Sequence, residues 1–110
     1  MTLKELQDLY SLIELPNQAE AQRIADATTK YFYSSFRNSS VKIEWIHRDT
    51  PRRLGTAYSD GRIKLFCRNG DNPTYATLAH ELAHFLHWYH GPEHRACIVR
   101  VFQFWAEKGV

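Results

Sequence analysis

The segment His80-Glu81-Leu82-Ala83-His84 sets two imidazoles four residues apart, with a carboxylate beside the first. On an α-helix, where each residue turns by roughly 100°, positions i and i+4 share one face about one turn apart, so both imidazoles can ligate one Zn2+ ion. Glu81, next along the helix, falls where it reaches a water on that metal rather than the metal itself. That is the general-base position of H-E-x-x-H hydrolases. A purely structural zinc has no use for such a carboxylate and normally fills its fourth position with protein.

A catalytic zinc needs a third protein ligand and an open position. His87, His90, Glu93 and His94 are the candidates. His87 shares the face of the first two histidines, but three ligands strung along a straight helix cannot surround a tetrahedral ion. His90 stands directly before Gly91-Pro92, where a helix stops and the chain can fold back. It ranks first, ahead of Glu93 and His94. Ala76 and Ala83 lie near the ligand face, where small side chains leave room for a cleft. Leu78, Leu82, Phe85, Leu86 and Tyr89 cluster on the opposite, apolar side.

The elements that must position these groups follow from periodicity. Leu3, Leu6, Leu9, Tyr10 and Ile13 recur at helical spacing until Pro16, and residues 1–16 form a short helix that could stand apart from the rest. Ala21, Ile24, Ala25, Thr28, Tyr31, Phe32 and Phe36 continue the period in a second helix capped by Asn17. The period then changes to two. Val41, Ile43 and Trp45 mark one face of a strand, and after a loop around Pro51 the stretches 55–59 and 62–67 flank Asp60-Gly61, a pair suited to a type I′ hairpin turn. Ile63, Leu65 and Cys67 face inward, opposite Arg62, Lys64, Phe66 and Arg68. The motif helix is expected to start at Pro73 with Asp71 or Asn72 as cap and to run to about Tyr89. A last helix spans about 93–108, with Ala96, Val99, Phe102 and Trp105 as its stripe and Gly109 past its end. The expectation is a single α+β domain over 1–110: N-terminal helices, a small antiparallel sheet, the active-site helix and a C-terminal helix.

Composition agrees with one globular domain, since 44% of the 110 residues are hydrophobic and 24% charged. Fourteen Lys and Arg against twelve Asp and Glu leave a net charge of +2, too small to mark nucleic-acid binding as a property of the whole chain. The charge is unevenly spread: residues 37–70 carry eight basic side chains against three acidic ones. Cys67 and Cys97 have no C-x-x-C spacing and read as buried thiols. Charged residues interrupt the N-terminal leucines, and no segment approaches the ~20 apolar residues of a membrane span. A soluble, cytoplasmic protein without membrane contact is expected.

Thr77-Leu78-Ala79-His80-Glu81-Leu82-Ala83-His84, followed by His90-Gly91-Pro92-Glu93, resembles the SprT-like metalloprotease domain of the Spartan proteases. There H-E-x-x-H precedes a third ligand histidine in an H-G-P-E-F string. Arg53-Leu54-Gly55-Thr56-Ala57 before Ile63-Lys64-Leu65 resembles that family's glycine-containing strand and the strand beside its active-site helix, and Tyr31-Phe32 its earlier aromatic helix. The likeness covers about residues 30–105. It implies a zincin-like fold, His80, His84 and His90 as zinc ligands and Glu81 as catalytic base. Here the link between His84 and His90 is only five residues, and His94 stands where the family string has an aromatic residue. The metzincin spacing also reaches His90, but its glycine position is His87.

The reading is a zinc metallopeptidase acting on a protein or peptide substrate, with Tyr58, Tyr89, His87 and His94 as candidate oxyanion donors. If 62–67 is an edge strand, an extended substrate can pair with it. A compact gluzincin with Glu93 as third ligand is one alternative. Another is a nucleic-acid-binding module with a structural zinc, in which segment 37–70 contacts DNA with Trp45, Tyr58 and Phe66.

Overall fold

A computed structural model describes residues 2–48 and 52–110, so the loop expected around Pro51 lies outside the described residues. The chain order is α1 (Leu3–Leu12), α2 (Gln18–Tyr31), β1 (Lys42–Arg48), β2 (Gly55–Ala57), β3 (Arg62–Arg68), α3 (Tyr75–Ala83) and α4 (Pro92–Lys108), an α+β arrangement.

Thr2 and Glu5 close a capping box on α1, and the Asn17 side chain accepts the Glu20 amide at 2.8 Å to start α2. Only Leu6 and Tyr10 of the α1 stripe are buried. The second helix stops at Tyr31, although the turn that follows still buries Phe32 and Phe36.

The sheet has the order β1-β3-β2 and is mixed rather than antiparallel. β3 pairs with β2 antiparallel and with β1 parallel. Alternation reveals which face of a strand is buried, but not the direction of its neighbour, and here β3 inserts between the two strands that precede it. The β2–β3 turn also departs from type I′. Gly61 has φ +102° but Asp60 does not share the positive φ that type I′ requires, and Gly61 N–H bonds Tyr58 O at 3.0 Å around Ser59-Asp60. Asp60 instead accepts the Arg62 amide at 3.1 Å. Ile63, Leu65 and Cys67 face the helices as expected, and Phe66 on the outer face is buried as well, beneath the Arg48 guanidinium.

On its outer side β1 meets α2 rather than a strand. Gln22 donates to Val41 O at 2.9 Å and accepts the Ile43 amide at 2.8 Å, while Gln18 accepts the Trp45 amide at 3.0 Å.

Helix α3 is shorter than expected at both ends. Its cap is Thr74, whose hydroxyl accepts the Thr77 amide at 3.3 Å. Asn72 is committed elsewhere: its amide N–H reaches Glu14 Oε1 at 2.7 Å and its side chain Leu15 O at 2.9 Å, tying the exit of α1 to the entry of α3. At the far end the bonds tighten to three-residue spacing, His84 N–H to Glu81 O, Phe85 to Leu82 and Leu86 to Ala83, and the α-helix ends at Ala83. Residues 84–91 form the link to α4, which Pro92 opens and Gly109, at φ +68°, closes. The buried stripe of α4 is His94, Cys97, Val101, Phe102, Phe104 and Trp105; Ala96 is exposed, so the helix is rotated from the expected phase. Both cysteines are free and buried.

Helices α1, α3 and α4 pack on one another, with α2 and α3 against the sheet. Trp105 is 1% exposed amid Tyr10, Tyr75 and Phe102, and its indole N–H donates to Thr28 Oγ1 at 2.9 Å. Among the described residues no helix is long and apolar enough to cross a membrane.

Candidate metal centre

Four histidines converge where the C-terminus of α3 meets the N-terminus of α4. His80, His84 and His94 each bring a ligand atom within 4.8 Å of the other two, a spacing that can hold a metal ion. His90 stands against them, its Nε2 3.3 Å from His80 Nε2 and its ring centroid 4.7 Å from that of His84. All three motif residues and His90 are therefore brought together, and His94 joins them more closely than its rank in the sequence suggested. Glu93 is exposed in the first turn of α4 and does not line the cavity over the site; His87 is half-buried and does not line it either.

The early end of α3 organises the ligands. His84 remains in helical conformation as the cap, and its Nδ1–H donates to Trp88 O at 2.6 Å, which leaves Nε2 for the cluster. His84 N–H is spent on Glu81 O, so His80 O accepts instead from His94 Nε2–H at 3.0 Å. That bond fixes the buried His94 ring with Nδ1 as its remaining donor atom. A hydrogen bond on one ring nitrogen that sets which lone pair is offered is the usual support for a metal-ligating histidine.

The donor chemistry fits a metal. Burial, and then the neighbouring imidazoles His84 and His90, hold His80 below the ordinary histidine range. Burial, against the bond to Trp88 O, does the same for His84, and burial foremost lowers His94 to about 4. All three are neutral near pH 7, the state in which imidazole binds a cation.

Glu81 lies beneath the cluster, 4% exposed, with Oε1 3.7 Å from His84 Nε2. Burial pushes its carboxyl up to about 7, moderated by the Arg53 cation. Burial thus drives both partners of that contact toward their uncharged forms, and it is not a fixed ion pair. Room for the carboxylate comes from Gly55 of β2. A Cβ there would lie 3.1 Å from Glu81 Cγ and 3.2 Å from Oε2, as well as 3.1 Å from Lys64 O. A side chain at this position would press on its neighbours by a few tenths of an ångström, so the glycine reads as a close approach of strand and helix.

A cavity of about 790 Å³ opens over the site, walled by β2, by Arg53 and Leu54 before it, by Ala76, Thr77 and Glu81 of α3, and by Gln7 and Ser11 of α1. Ala76 leaves the expected space; Ala83 is fully buried away from it. Of the expected oxyanion candidates Tyr89 lines the cavity, 76% exposed rather than on the apolar face, and Tyr58 lies on the outer face of the sheet under Arg62 and Lys64. β3 is central and cannot take up an added strand, so β2 is the edge that borders the cleft. Leu54 and Tyr58 bond β3, and by alternation Gly55 and Ala57 turn their backbone groups the other way. A second groove, of about 420 Å³, crosses the outer face between Arg48, Arg52, Arg53, Lys64, Tyr58 and Phe66.

The sequence ranks His94 behind His90 as a ligand and carries no mark of the close approach at Gly55. The signal for His94 was the α4 stripe: Cys97, Val101 and Trp105, extended one turn backward, reach position 94. No family model matches this chain, and no curated protein or solved structure does either.

Proposed function

We propose that this chain is a small zinc metallopeptidase of the SprT-like kind, hydrolysing peptide bonds in a protein or peptide substrate. The observation that carries the reading is the position of Glu81, a buried carboxyl against His84 lining a cleft bordered by β2, an outer strand of the sheet among the described residues. A structural site has no use for that group. On this reading His80, His84 and His90 would hold the ion, while the ligand atoms that lie within 4.8 Å of one another are those of His80, His84 and His94, with His90 Nε2 3.3 Å from His80 Nε2. A zinc ion bound there supplies a Lewis acid that polarises a carbonyl and brings the pKa of a coordinated water to around ~7.

The chain's own residues do the rest. Glu81 accepts the proton of the attacking water and returns it to the departing amine, a transfer suited to a carboxyl tuned by burial. The outward backbone groups of Gly55 and Ala57 align an extended substrate by β-pairing, which gives affinity with little side-chain selectivity. Tyr89, which lines the cavity, is the oxyanion donor this reading assigns. The test is Glu81→Gln: the variant should keep its zinc and its fold and lose cleavage of an unfolded protein substrate. Undiminished cleavage refutes the assignment.

The outer groove favours a second reading, contact with DNA. Four cations surround Tyr58 and Phe66 there, the pairing of charge and ring that suits single-stranded nucleic acid. Binding of labelled single strands, followed by anisotropy, should weaken with salt at a slope of about −0.7 per phosphate contacted. Negligible binding at ~50 mM salt removes this reading and leaves the peptidase assignment intact.

A further inference from the structure

A hydrolytic zinc needs three protein ligands and one vacant position, yet here His80, His84 and His94 already bring ligand atoms within 4.8 Å of one another, and His90 adds a fourth imidazole 3.3 Å from His80 Nε2. The four differ in how they are held. His80 and His84 belong to the rigid end of α3. His94 is 2% exposed, sits in the first turn of α4 and is tied to His80 O at 3.0 Å. His90 is exposed, lies between the two helices, and is followed by Gly91, whose φ of +147° is a conformation other residues rarely adopt.

We propose that His94 is a protein ligand in its own right, so that the metal rests in a closed four-histidine site and a reactant enters by displacing His90. The inference rests on the metallopeptidase reading and revises its ligand set. Geometry supports the division of roles. With Nε2 bonded to His80 O, His94 offers Nδ1 and cannot swing away without breaking the bond that completes the C-terminus of α3. Among the described residues the His90 side chain is bonded only to His80 Nε2, and it stands in the exposed link with no tie to backbone. With a metal bound, exchange of the His90 nitrogen for an incoming water, carbonyl or anion would leave the number of ligands unchanged.

The experiment uses the full chain loaded with Co2+, read by its visible absorption, with azide as the probe of an open position. Three variants are compared with the wild type: His90→Ala, His94→Gln and the double variant. The side-chain amide introduced by His94→Gln would keep an N–H for His80 O, so the end of α3 is preserved. Each single variant should retain one cobalt per chain, because three histidines remain, and the double variant should lose it on gel filtration. Azide should shift the spectrum of His90→Ala at a concentration at least about tenfold below that needed for the wild type, where the position is open for only a fraction of molecules. Loss of cobalt from His90→Ala would show that His94 does not ligate and overturns the proposal. Equal azide affinity in the wild type and His90→Ala overturns it also, since the fourth position would then be open already. A wild type that binds no cobalt defeats the metal reading itself, and this outcome differs from both.

Discussion

Helices α3 and α4 meet at two clusters of rings, one at each end of their contact. At one end Tyr10, Tyr75, Phe102 and Trp105 pack with centroids 5.0–6.2 Å apart, and the indole N–H of Trp105 is satisfied by Thr28. At the other, four imidazoles pack with centroids 4.2–5.3 Å apart, with His84 Nδ1–H given to Trp88 O and His94 Nε2–H to His80 O. The first cluster is complete in itself. The second spends ring N–H groups on backbone carbonyls, which leaves the opposite ring nitrogens of His84 and His94 for a cation. The difference separates residues that keep α3 and α4 together from residues grouped as a metal ion would need them.

Four measurements test this division. Glu81→Gln should have the largest effect, lowering peptidase turnover by ~10² to 10⁴, with thermal stability and zinc content nearly unchanged. Trp105→Ala is the converse: it should lose about 3–5 kcal/mol of stability in denaturant melts while one zinc per folded chain remains. Chelation should come next. Stripping the metal should lower stability by about 2.7 kcal/mol relative to protein at a free zinc concentration a hundred times its Kd, and the same treatment should change nothing in a His80→Ala/His84→Ala variant. The smallest expected effect is that of Gly55→Ala, where the new methyl would meet Glu81 and the Lys64 carbonyl. We expect about 1–3 kcal/mol of destabilisation, with a fall in activity that metal content does not mirror. Equal losses at both clusters in any of these variants would erase the distinction.

What was legible in the sequence divides along similar lines. The H-E-x-x-H spacing, the Asn17 cap and the inward faces of β1 and β3 depend on local periodicity, and the structure has them. The cap of α3 is not decided locally, because Asp71, Asn72 and Thr74 all suit an N-cap; Asn72 is occupied by Glu14 and Leu15, more than fifty residues away in sequence, and Thr74 caps the helix. The parallel pairing of β1 with β3 is likewise a tertiary fact that alternation cannot encode. The end of α3 at Ala83 is subtler. Nothing in Phe85-Leu86-His87-Trp88 opposes a helix, and the turn is closed by the His84 to Trp88 bond and by the His94 ring taking the carbonyl His84 gave up. His94 was undervalued for that reason, since its part depends on a helix end that only the fold defines.

The hydrogen bonds of Gln18 and Gln22 along β1 have a consequence for how the molecule behaves in a crowd. A sheet rim with unpaired backbone groups is a template on which another chain can crystallise as a further strand, the first step toward fibrous growth. Here two glutamine amides of α2 imitate the missing neighbour and occupy the Val41, Ile43 and Trp45 positions of one rim. The other rim is β2, three residues long and recessed beside Glu81. Among the described residues, a foreign strand is turned away at one border of the sheet and met at the other only over the histidines, so protection from self-templating and access to the cleft are set by which rim the glutamines cover.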